Sequence, residues 1–497
     1  MRKFFKSMAA FVLIAALALG CAVTFTACSS GDFTNDLSNY TIDAVLNDGD
    51  KTLDAVLKLD YRNNYDIELR DMLFHLYPAA YRADARFKPV LGAEERLTAY
   101  PNGESWGGIS IKNVAVNGKT PAHSITGQDE DKLLVPLSEP LLPTRRITVE
   151  IGFSLQIPQM RHRFGWLDKT INLGNFYPIV SMFENGAWIS DPYYSFGDPF
   201  YSEASNYTVS ITAPSNYTAA LSGAIGSTEN LSGGLVKTTA HLRAARDFAI
   251  VLGEFNTLTA QVADTQILYY YHSDATPELS LAAARDSIKT FSDLFGAYPY
   301  KTYSVVETPF LNGGMEYPGL VYISDRLSGE IYREVIIHET AHQWWYAVVG
   351  NNQVAHGWLD ETLAEYSVTL FYQHNPSYNR TYDARMADAI SSYALYVDMF
   401  KHQINFTTVM NRALGGFQSA VEYTYMAYVK GVIMLDTLRA SIGADAVIAA
   451  LKQYYQHNQF KIAVPELLVA AFETASKQQL APFFEAWVEG KIQVYAN

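Results

Sequence analysis

Two histidines stand four residues apart in the segment HETAHQWW, and a glutamate follows in the segment WLDETLAEY. If the first segment is helical, His338 and His342 lie one turn apart on one face, where both imidazoles can bind one metal ion. Catalytic zinc takes three protein ligands and keeps a fourth position open. Glu361 is the best third ligand, so we expect one Zn²⁺ bound by His338, His342 and Glu361.

Glu339 lies beside the two histidines in sequence but is not expected to bind the metal. Zinc lowers the pKa of a bound water from ~15.7 to about 7. Glu339 is placed to accept the proton that this water loses, which predicts a zinc hydrolase. The alternative makes His338 and His342 buried, packed histidines of an amphipathic helix; the spaced Glu361 favours the metal site.

Composition places the chain among globular proteins and argues against one class of partner. Its 497 residues are 49 % hydrophobic and 13 % aromatic, and this length predicts about two or three domains. The formal net charge is −14, and it becomes −17 without the first 27 residues. Nucleic-acid binding depends on basic patches, so we expect no nucleic-acid partner.

The first residues have the pattern of an export signal. Basic residues precede an apolar run from Met8 to about Leu19, which predicts a signal peptide over residues 1–27. The segment FTAC ending at Cys28 resembles a bacterial lipoprotein cleavage site, so Cys28 is expected to carry a lipid at the start of a tether over 28–37. Cys21 is an alternative, as is a plain signal peptide or an uncleaved anchor. We therefore expect an exported protein that is lipid-anchored to the outer face of the cytoplasmic membrane.

Alternation of apolar and polar residues predicts strands between about residues 38 and 253. Apolar side chains alternate on both sides of the turn at Asp48-Gly49, which indicates a half-buried hairpin. Similar alternation returns near 109–116, 147–155 and 207–211. We expect a β-sandwich-like domain over residues 38–253.

From about residue 275 the apolar pattern becomes helical. One helix is marked by apolar residues at helical spacing, namely Leu279, Ala282, Ala283, Ile288 and Phe291. Further helices are expected near 330–349, carrying the two histidines, and near 358–373, carrying Glu361. The predicted fold class is α+β, with a mostly helical catalytic domain over residues 254–497.

Several motifs together resemble one known family, the gluzincin zinc aminopeptidases that include aminopeptidase N and leukotriene hydrolase. Both metal-site segments match, and GGMEYP at 313–318 is similar to the family motif Gly-x-Met-Glu-Asn, with Tyr317 in the place of Asn. FGAYPY at 295–300 and RDF at 246–248 also resemble the family. The resemblance implies a thermolysin-like catalytic domain, without the large C-terminal helical domain of many relatives.

The resemblance also implies roles in substrate binding. The Glu316 carboxylate is expected to pair with the free α-ammonium of a peptide, which would select exopeptidase action. Gly313, Gly314 and Met315 are expected to lie against the substrate, where glycine permits close approach. The alternative for Glu316 is a surface position on an edge strand.

A tyrosine before a Lys-Gly pair stabilises the oxyanion in this family, and Tyr428 before Lys430-Gly431 fits that pattern. Tyr423 and Tyr425 are alternatives. The relatives also bind the amine through a second Glu or Gln from the N-terminal domain, and Glu184 is a candidate.

Three further residues stand close to the expected ligands in sequence. Glu365 is expected to accept a hydrogen bond from the outer nitrogen of a zinc-bound histidine, although a solvent-facing position is equally compatible with the sequence. His356 and Asp360 are not expected to bind the metal; Asp360 occupies a position where relatives carry Asn.

Together these residues predict an aminopeptidase that acts on peptides with a free N-terminus outside the cytoplasm. Two alternatives stay open: a zinc endopeptidase or other amide hydrolase on the same scaffold, and a non-catalytic peptide-binding relative. Presence of all three ligands and of Glu339 favours an enzyme. The sequence does not predict the oligomeric state.

Overall fold

The structure is a computed structural model, and it describes residues 33–494 of the chain. Cys21, Cys28 and the expected signal peptide lie outside the described residues, so the predicted lipid anchor stays a prediction. Residues Phe33–Asp36 form a short 3₁₀ turn, and the residues from Leu37 onward form a separate unit. Between residues 33 and 494, no helix is both long and apolar enough to cross a membrane.

The strands of the described residues occur mainly in the first half of the chain. They are β1 (Ser38–Asn47), β2 (Thr52–Arg62), β3 (Leu69–His75), β4 (Gly108–Val116), β5 (Ser124–Thr126), β6 (Lys132–Leu141), β7 (Arg146–Gln156), β8 (Phe164–Leu167), β9 (Thr170–Leu173), β10 (Ile179–Val180), β11 (Phe183–Glu184), β12 (Ala187–Trp188), β13 (Ser205–Pro214), β14 (Thr218–Leu221), β15 (Ala224–Leu231), β16 (Leu235–Ala245), β17 (Ile250–Gly253), β18 (Asn256–Val262), β19 (Thr265–Tyr271), β20 (Thr302–Thr308), β21 (Gly314–Met315) and β22 (Leu320–Ser324).

All but one of the α-helices in the described range follow the β-rich half. They are α1 (Ala93–Ala99), α2 (Pro277–Phe295), α3 (Gly329–Ala341), α4 (Gln353–His356), α5 (Trp358–His374), α6 (Tyr382–Phe400), α7 (Ala420–Thr424), α8 (Gly431–Ile442), α9 (Ala444–Asn458), α10 (Pro465–Ser476) and α11 (Ala481–Val488). A π-helical turn, Tyr425–Lys430, joins α7 to α8. The predicted α+β fold class, with a β-rich part before a helical part, is confirmed.

The predicted hairpin is present as β1 and β2, whose alternate side chains are buried. These strands belong to a seven-stranded sheet of order β15-β16-β13-β1-β2-β7-β4, in which β1 runs parallel to β13 and the other pairs are antiparallel. The rings of Tyr40 and Tyr207 stack in register across β1 and β13, with centroids 5.0 Å apart. Burial of each large apolar side chain on this face stabilises the sheet by about 1.5–3 kcal/mol.

A second sheet supports the helical part, in the order β18-β19-β20-β22-β21. Its three central strands are parallel, and the two outer pairs are antiparallel. The central strands are buried along most of their length, as expected for strands covered on both faces. The edge strand β21 is the segment Gly314–Met315, so the sheet places the GGMEYP motif directly beside α3.

The helix that carries the two histidines is shorter than the predicted range of about 330–349. It ends at Ala341, His342 forms its C-cap, and residues after it make turns. The backbone at Tyr346 has φ +143°, which is incompatible with a continuing α-helix. Helices α2 and α5 match the prediction closely, except that Leu279 of α2 is exposed.

Gly431 allows the π-helical turn to pack tightly on α5. A Cβ at this position would clash with the Thr362 side chain, whose hydroxyl donates to the Ala427 carbonyl at 2.7 Å. Lys430, fully buried, donates to the carbonyls of Thr408 at 2.6 Å and Trp487 at 2.9 Å. Gly431 thus lets the turn pack against α5, the helix that carries Glu361, and Lys430 fixes the turn to the carbonyls of Thr408 and Trp487.

We expect Gly431→Ala to lower the free energy of unfolding by about 1–3 kcal/mol, because the added methyl group overlaps Thr362. Helix propensity alone would raise it by roughly 1 kcal/mol, so the sign of the change reports the packing contact. Urea unfolding followed by circular dichroism measures it. The matched control is Gly49→Ala in an exposed turn, where the nearest atom would be 3.6 Å from the new Cβ. Equal unfolding midpoints for the two variants would contradict the close contact.

Candidate metal centre

The three predicted ligands converge at one buried point between α3 and α5. The Nε2 atoms of His338 and His342 are 3.1 Å apart. The Oε2 atom of Glu361 lies 3.4 Å from the first and 3.2 Å from the second. The side chains of His342 and Glu361 are only 2 % and 3 % exposed, so water does not solvate this point freely.

The hydrogen-bond partners of the two Nδ1 atoms determine whether the Nε2 atoms are able to bind a metal ion. His338 Nδ1 lies 2.9 Å from Glu365 Oε2, and His342 Nδ1 lies 2.9 Å from the Trp345 carbonyl oxygen. Both partners are acceptors, so each Nδ1 carries a proton, and in the neutral ring each Nε2 then presents a lone pair. Glu361 Oε2 has no hydrogen-bond donor among the described residues. Two nitrogen lone pairs and a carboxylate oxygen therefore converge, and this N,N,O donor set fits Zn²⁺.

Glu365 lies where the sequence predicts, beside the outer nitrogen of His338. Arg385 of α6 forms an ion pair with it, and the same guanidinium also pairs with Glu334. Burial raises the pKa of Glu365, but the Arg385 charge and the His338 hydrogen bond outweigh this and bring the pKa to about 2. Glu365 is therefore an anionic acceptor that sets the tautomer and orientation of His338.

Glu339 borders a cavity of about 400 Å³ that opens beside the metal site. Its carboxylate packs against the backbone of the edge strand at Gly314, where a Cβ would clash with it. Gly313 and Gly314 also line this cavity, whereas Met315 is buried in the sheet. Burial raises the pKa of Glu339 to about 7, against the opposing influence of His338 and His342.

Of the three candidate tyrosines, Tyr428 lies at the metal site. Its hydroxyl donates to Glu361 Oε1, and its ring stacks on His338 with centroids 5.7 Å apart. Tyr423 also lines the cavity and meets Tyr428 edge-on, whereas Tyr425 stacks on Tyr396 at 4.3 Å and does not line it. Tyr428 lies within the π-helical turn, and such turns occur frequently at functional sites.

Glu316 is buried rather than on the surface, with 3 % of the residue exposed. Gln353 Nε2 donates to Glu316 Oε1 at 3.0 Å and to Asp360 Oδ2 at 2.8 Å, so one neutral amide serves two buried carboxylates. Ligand atoms of Glu316, Asp360 and His342 lie within 4.8 Å of one another. This second group shares the His342 ring with the triad of His338, His342 and Glu361, so it is not an independent metal site.

Sequence reasoning missed two acidic residues of the β-rich part that line the cavity, Glu95 of α1 and Asp198. Asp198, in the loop before β13, accepts from Arg163 at 2.8 Å, and both side chains border the cavity. Glu184, the candidate for the second amine-binding residue, accepts a hydrogen bond from the Tyr201 hydroxyl and does not line the cavity. No local motif distinguishes Asp198, because its place depends on a partner 35 residues earlier.

His356 is not among the residues whose ligand atoms converge at the metal site. Its Nδ1 atom is 2.9 Å from Asn411 Oδ1, and the Trp358 indole donates to the same oxygen at 3.2 Å. These contacts give His356 a place in the packing around α4.

Residues 279–487 match the Peptidase family M1 domain, a range that contains the three metal ligands, Glu339, Glu316 and Tyr428. The chain therefore contains an M1 peptidase domain over this range. Among curated M1 relatives it is 25 % identical over 231 residues to aminopeptidase N of Streptomyces lividans, covering 44 % of this chain and 26 % of the relative. It is 23 % identical over 401 residues to aminopeptidase M1-A of Oryza sativa subsp. japonica, covering 77 % and 45 %.

Solved M1 structures share the fold. An M1 zinc metallopeptidase mutant from Deinococcus radiodurans, bound to a Tyr-Ser-Ala substrate, superposes with a TM-score of 0.66 at 19 % identity. The superposition covers 92 % of this chain and 95 % of that one. The M1 chain described here spans less than half the length of the two curated relatives named above.

We expect Glu365→Ala to raise the zinc dissociation constant by about 10–100-fold, because His338 loses the anion that orients its ring. Competition with a chromogenic chelator measures this constant without a peptide substrate. Glu330→Ala, an exposed glutamate on the same helix as His338, is the control and should bind zinc like the wild type. A wild-type constant for Glu365→Ala would show that the carboxylate does not position the ligand.

Proposed function

We propose that this protein is a zinc-dependent aminopeptidase that removes N-terminal residues from peptides. The proposal rests on one arrangement: the convergent acceptors of His338, His342 and Glu361 lie beside a cavity lined by Glu339. The M1 peptidase domain and the relatives named aminopeptidase support the same reaction.

The chemistry divides among residues that border the cavity. A bound zinc ion would lower the pKa of water and polarise the scissile carbonyl. Glu339 accepts the proton of the attacking water and then transfers it to the leaving amine. The Tyr428 hydroxyl is close enough to the ligand sphere to donate to the oxyanion, and loss of one such donor typically costs 10²–10³-fold in rate.

Recognition of a free amino terminus follows from the charges next to the metal site. Glu316 and Asp360 are two buried carboxylates whose shared donor is the neutral Gln353 amide. An ammonium group bound there would offset negative charge that the protein leaves uncompensated. Because Glu316 lies close to His342, such an amine would sit about one residue from the scissile bond. Asp198, which pairs with Arg163, is a third carboxylate and is supplied by the β-rich part.

Aminoacyl fluorogenic substrates and their N-acetylated forms test this function on the zinc-loaded protein. We expect hydrolysis of the free-amine substrates and loss of nearly all turnover in Glu339→Gln, which keeps the shape of the base but cannot accept the proton. Zinc affinity of this variant should remain close to wild type. Substantial activity in zinc-bound Glu339→Gln would contradict the assignment of the base.

The second candidate is a zinc endopeptidase, because Glu316, the expected partner of the amino terminus, is buried and is not among the residues that line the cavity. Equal hydrolysis of free and acetylated substrates would favour this candidate over the aminopeptidase. Chelation should abolish either activity, and zinc should restore it.

The localisation is a separate proposal that rests on the sequence of the first 28 residues: a protein exported and tethered through Cys28. In cells fed a radiolabelled fatty acid, we expect label in the wild type and in Cys21→Ser but not in Cys28→Ser. Label retained in Cys28→Ser and lost in Cys21→Ser would move the lipid to Cys21. Absence of label from all three would contradict the anchor.

A further inference from the structure

The backbone just after the histidine helix is in a costly conformation. Tyr346 has φ +143°, a region that side-chain-bearing residues rarely adopt and that costs on the order of 1–3 kcal/mol. Such a conformation persists only where its surroundings hold it. The residue is 2 % exposed and lies four positions after the metal ligand His342.

The peptide group before Tyr346 holds that ligand. The carbonyl of Trp345 accepts the hydrogen bond from His342 Nδ1 at 2.9 Å. The direction of this carbonyl depends on the rotation of the Trp345–Tyr346 peptide plane, and the φ angle of Tyr346 is one of the two torsions adjoining that plane. Whatever holds Tyr346 therefore also aims the acceptor that orients His342.

Two adjacent residues at the end of the β-rich part hold Tyr346, one by its backbone and one by its side chain. Arg246 Nε donates to the Tyr346 carbonyl at 2.7 Å. The Tyr346 hydroxyl donates to Asp247 Oδ2 at 2.6 Å. Arg246 and Asp247 are each 2 % exposed, so both contacts are made away from water. A Cβ at Gly350 would clash with the Arg246 guanidinium, so glycine at this position leaves space for the guanidinium that bonds the Tyr346 carbonyl.

Further hydrogen bonds link Asp247 to the GGMEYP motif. Asn175 Nδ2 lies 3.4 Å from Asp247 Oδ2, and the Tyr317 hydroxyl donates to Asn175 Oδ1 at 2.9 Å. A Cβ at Gly174 would clash with this hydroxyl, so glycine there admits a tyrosine at position 317. Tyr317, the departure from the family motif, is thus one end of a buried chain of hydrogen bonds that reaches Tyr346.

We propose that Arg246 and Asp247 are positioning residues for the metal ligand His342, acting through the strained residue Tyr346 and the carbonyl of Trp345. This inference rests on the proposed zinc site but not on the peptide that is cut. It assigns to the β-rich part a role in metal binding that is separate from substrate contact.

Zinc affinity, measured by chelator competition on the whole protein, tests the proposal. Tyr346→Phe removes one hydroxyl and should raise the zinc dissociation constant by about tenfold, the lower end of the range for groups that support a ligand. Tyr300→Phe is the matched control, because this buried tyrosine donates at 3.0 Å to the Ala244 carbonyl and makes no hydrogen bond to Tyr346 or Asp247. Both variants lose one buried hydroxyl, and only the first should lose zinc affinity.

Substitutions at Asp247 test the same link from the other side. Asp247→Asn keeps an oxygen that can accept from Tyr346 and should bind zinc like the wild type, whereas Asp247→Ala should weaken binding as Tyr346→Phe does. If Tyr346→Phe does not fold, the comparison of these two Asp247 variants decides the question. Equal zinc affinities for Tyr346→Phe and Tyr300→Phe, or for Asp247→Ala and Asp247→Asn, would overturn the proposal.

The titration also separates this inference from the proposed function. A wild-type protein that binds zinc and hydrolyses no peptide contradicts the aminopeptidase alone. Equal affinities across the variants contradict the positioning role alone. A wild-type protein that binds no zinc overturns both.

Discussion

The arrangement of this site depends on three acceptor atoms that point at one another in a nearly water-free space. Two imidazole nitrogens and a carboxylate oxygen within 3.4 Å repel each other unless a cation lies between them. To hold these atoms in place, the protein must fix each imidazole ring through a hydrogen bond from its Nδ1 atom. The two histidines use different acceptors, a paired carboxylate for His338 and a backbone carbonyl for His342. The carboxylate beside His338 can be removed by substituting one side chain, whereas the carbonyl beside His342 depends on the path of the main chain.

Negative charge is the second constraint on the site. Glu316, Glu339, Asp360 and Glu361 are all buried, and Glu365 and Asp198 each engage an arginine. Desolvated carboxylates in such numbers cost free energy that a structural role would not require. The excess is consistent with a site that binds cations, one metallic and one from a substrate. Acidic groups at functional sites commonly combine burial and mutual repulsion in this way.

Local patterns predicted the elements and the ligands, but not the long-range supports. The alternation in β1 and β2 and the spacing of His338 and His342 depend on neighbours in sequence, and both predictions match the structure. The end of α3 was predicted eight residues too late because apolar residues continue beyond it, although the backbone turns at Tyr346. Asp198 was missed because its partner Arg163 is on another element. Arg246 and Asp247 were recognised as part of a segment that resembles the family. Their partner Tyr346 lies about 100 residues later in the sequence, so local patterns did not predict these contacts.

Arg246 also has a consequence for when the metal site can form. Its guanidinium donates to the carbonyls of Ser202, Val348 and Lys461, and residues 460–463 pair with the loop from Val348 to Gly350. Lys430, two residues after Tyr428, donates to the carbonyl of Trp487. During synthesis Lys461 and Trp487 emerge well after both histidines and Glu361. The hydrogen bonds that support His342 through Arg246 are therefore complete only after Lys461 has been made, so we expect high-affinity metal binding to follow the synthesis of most of the described chain.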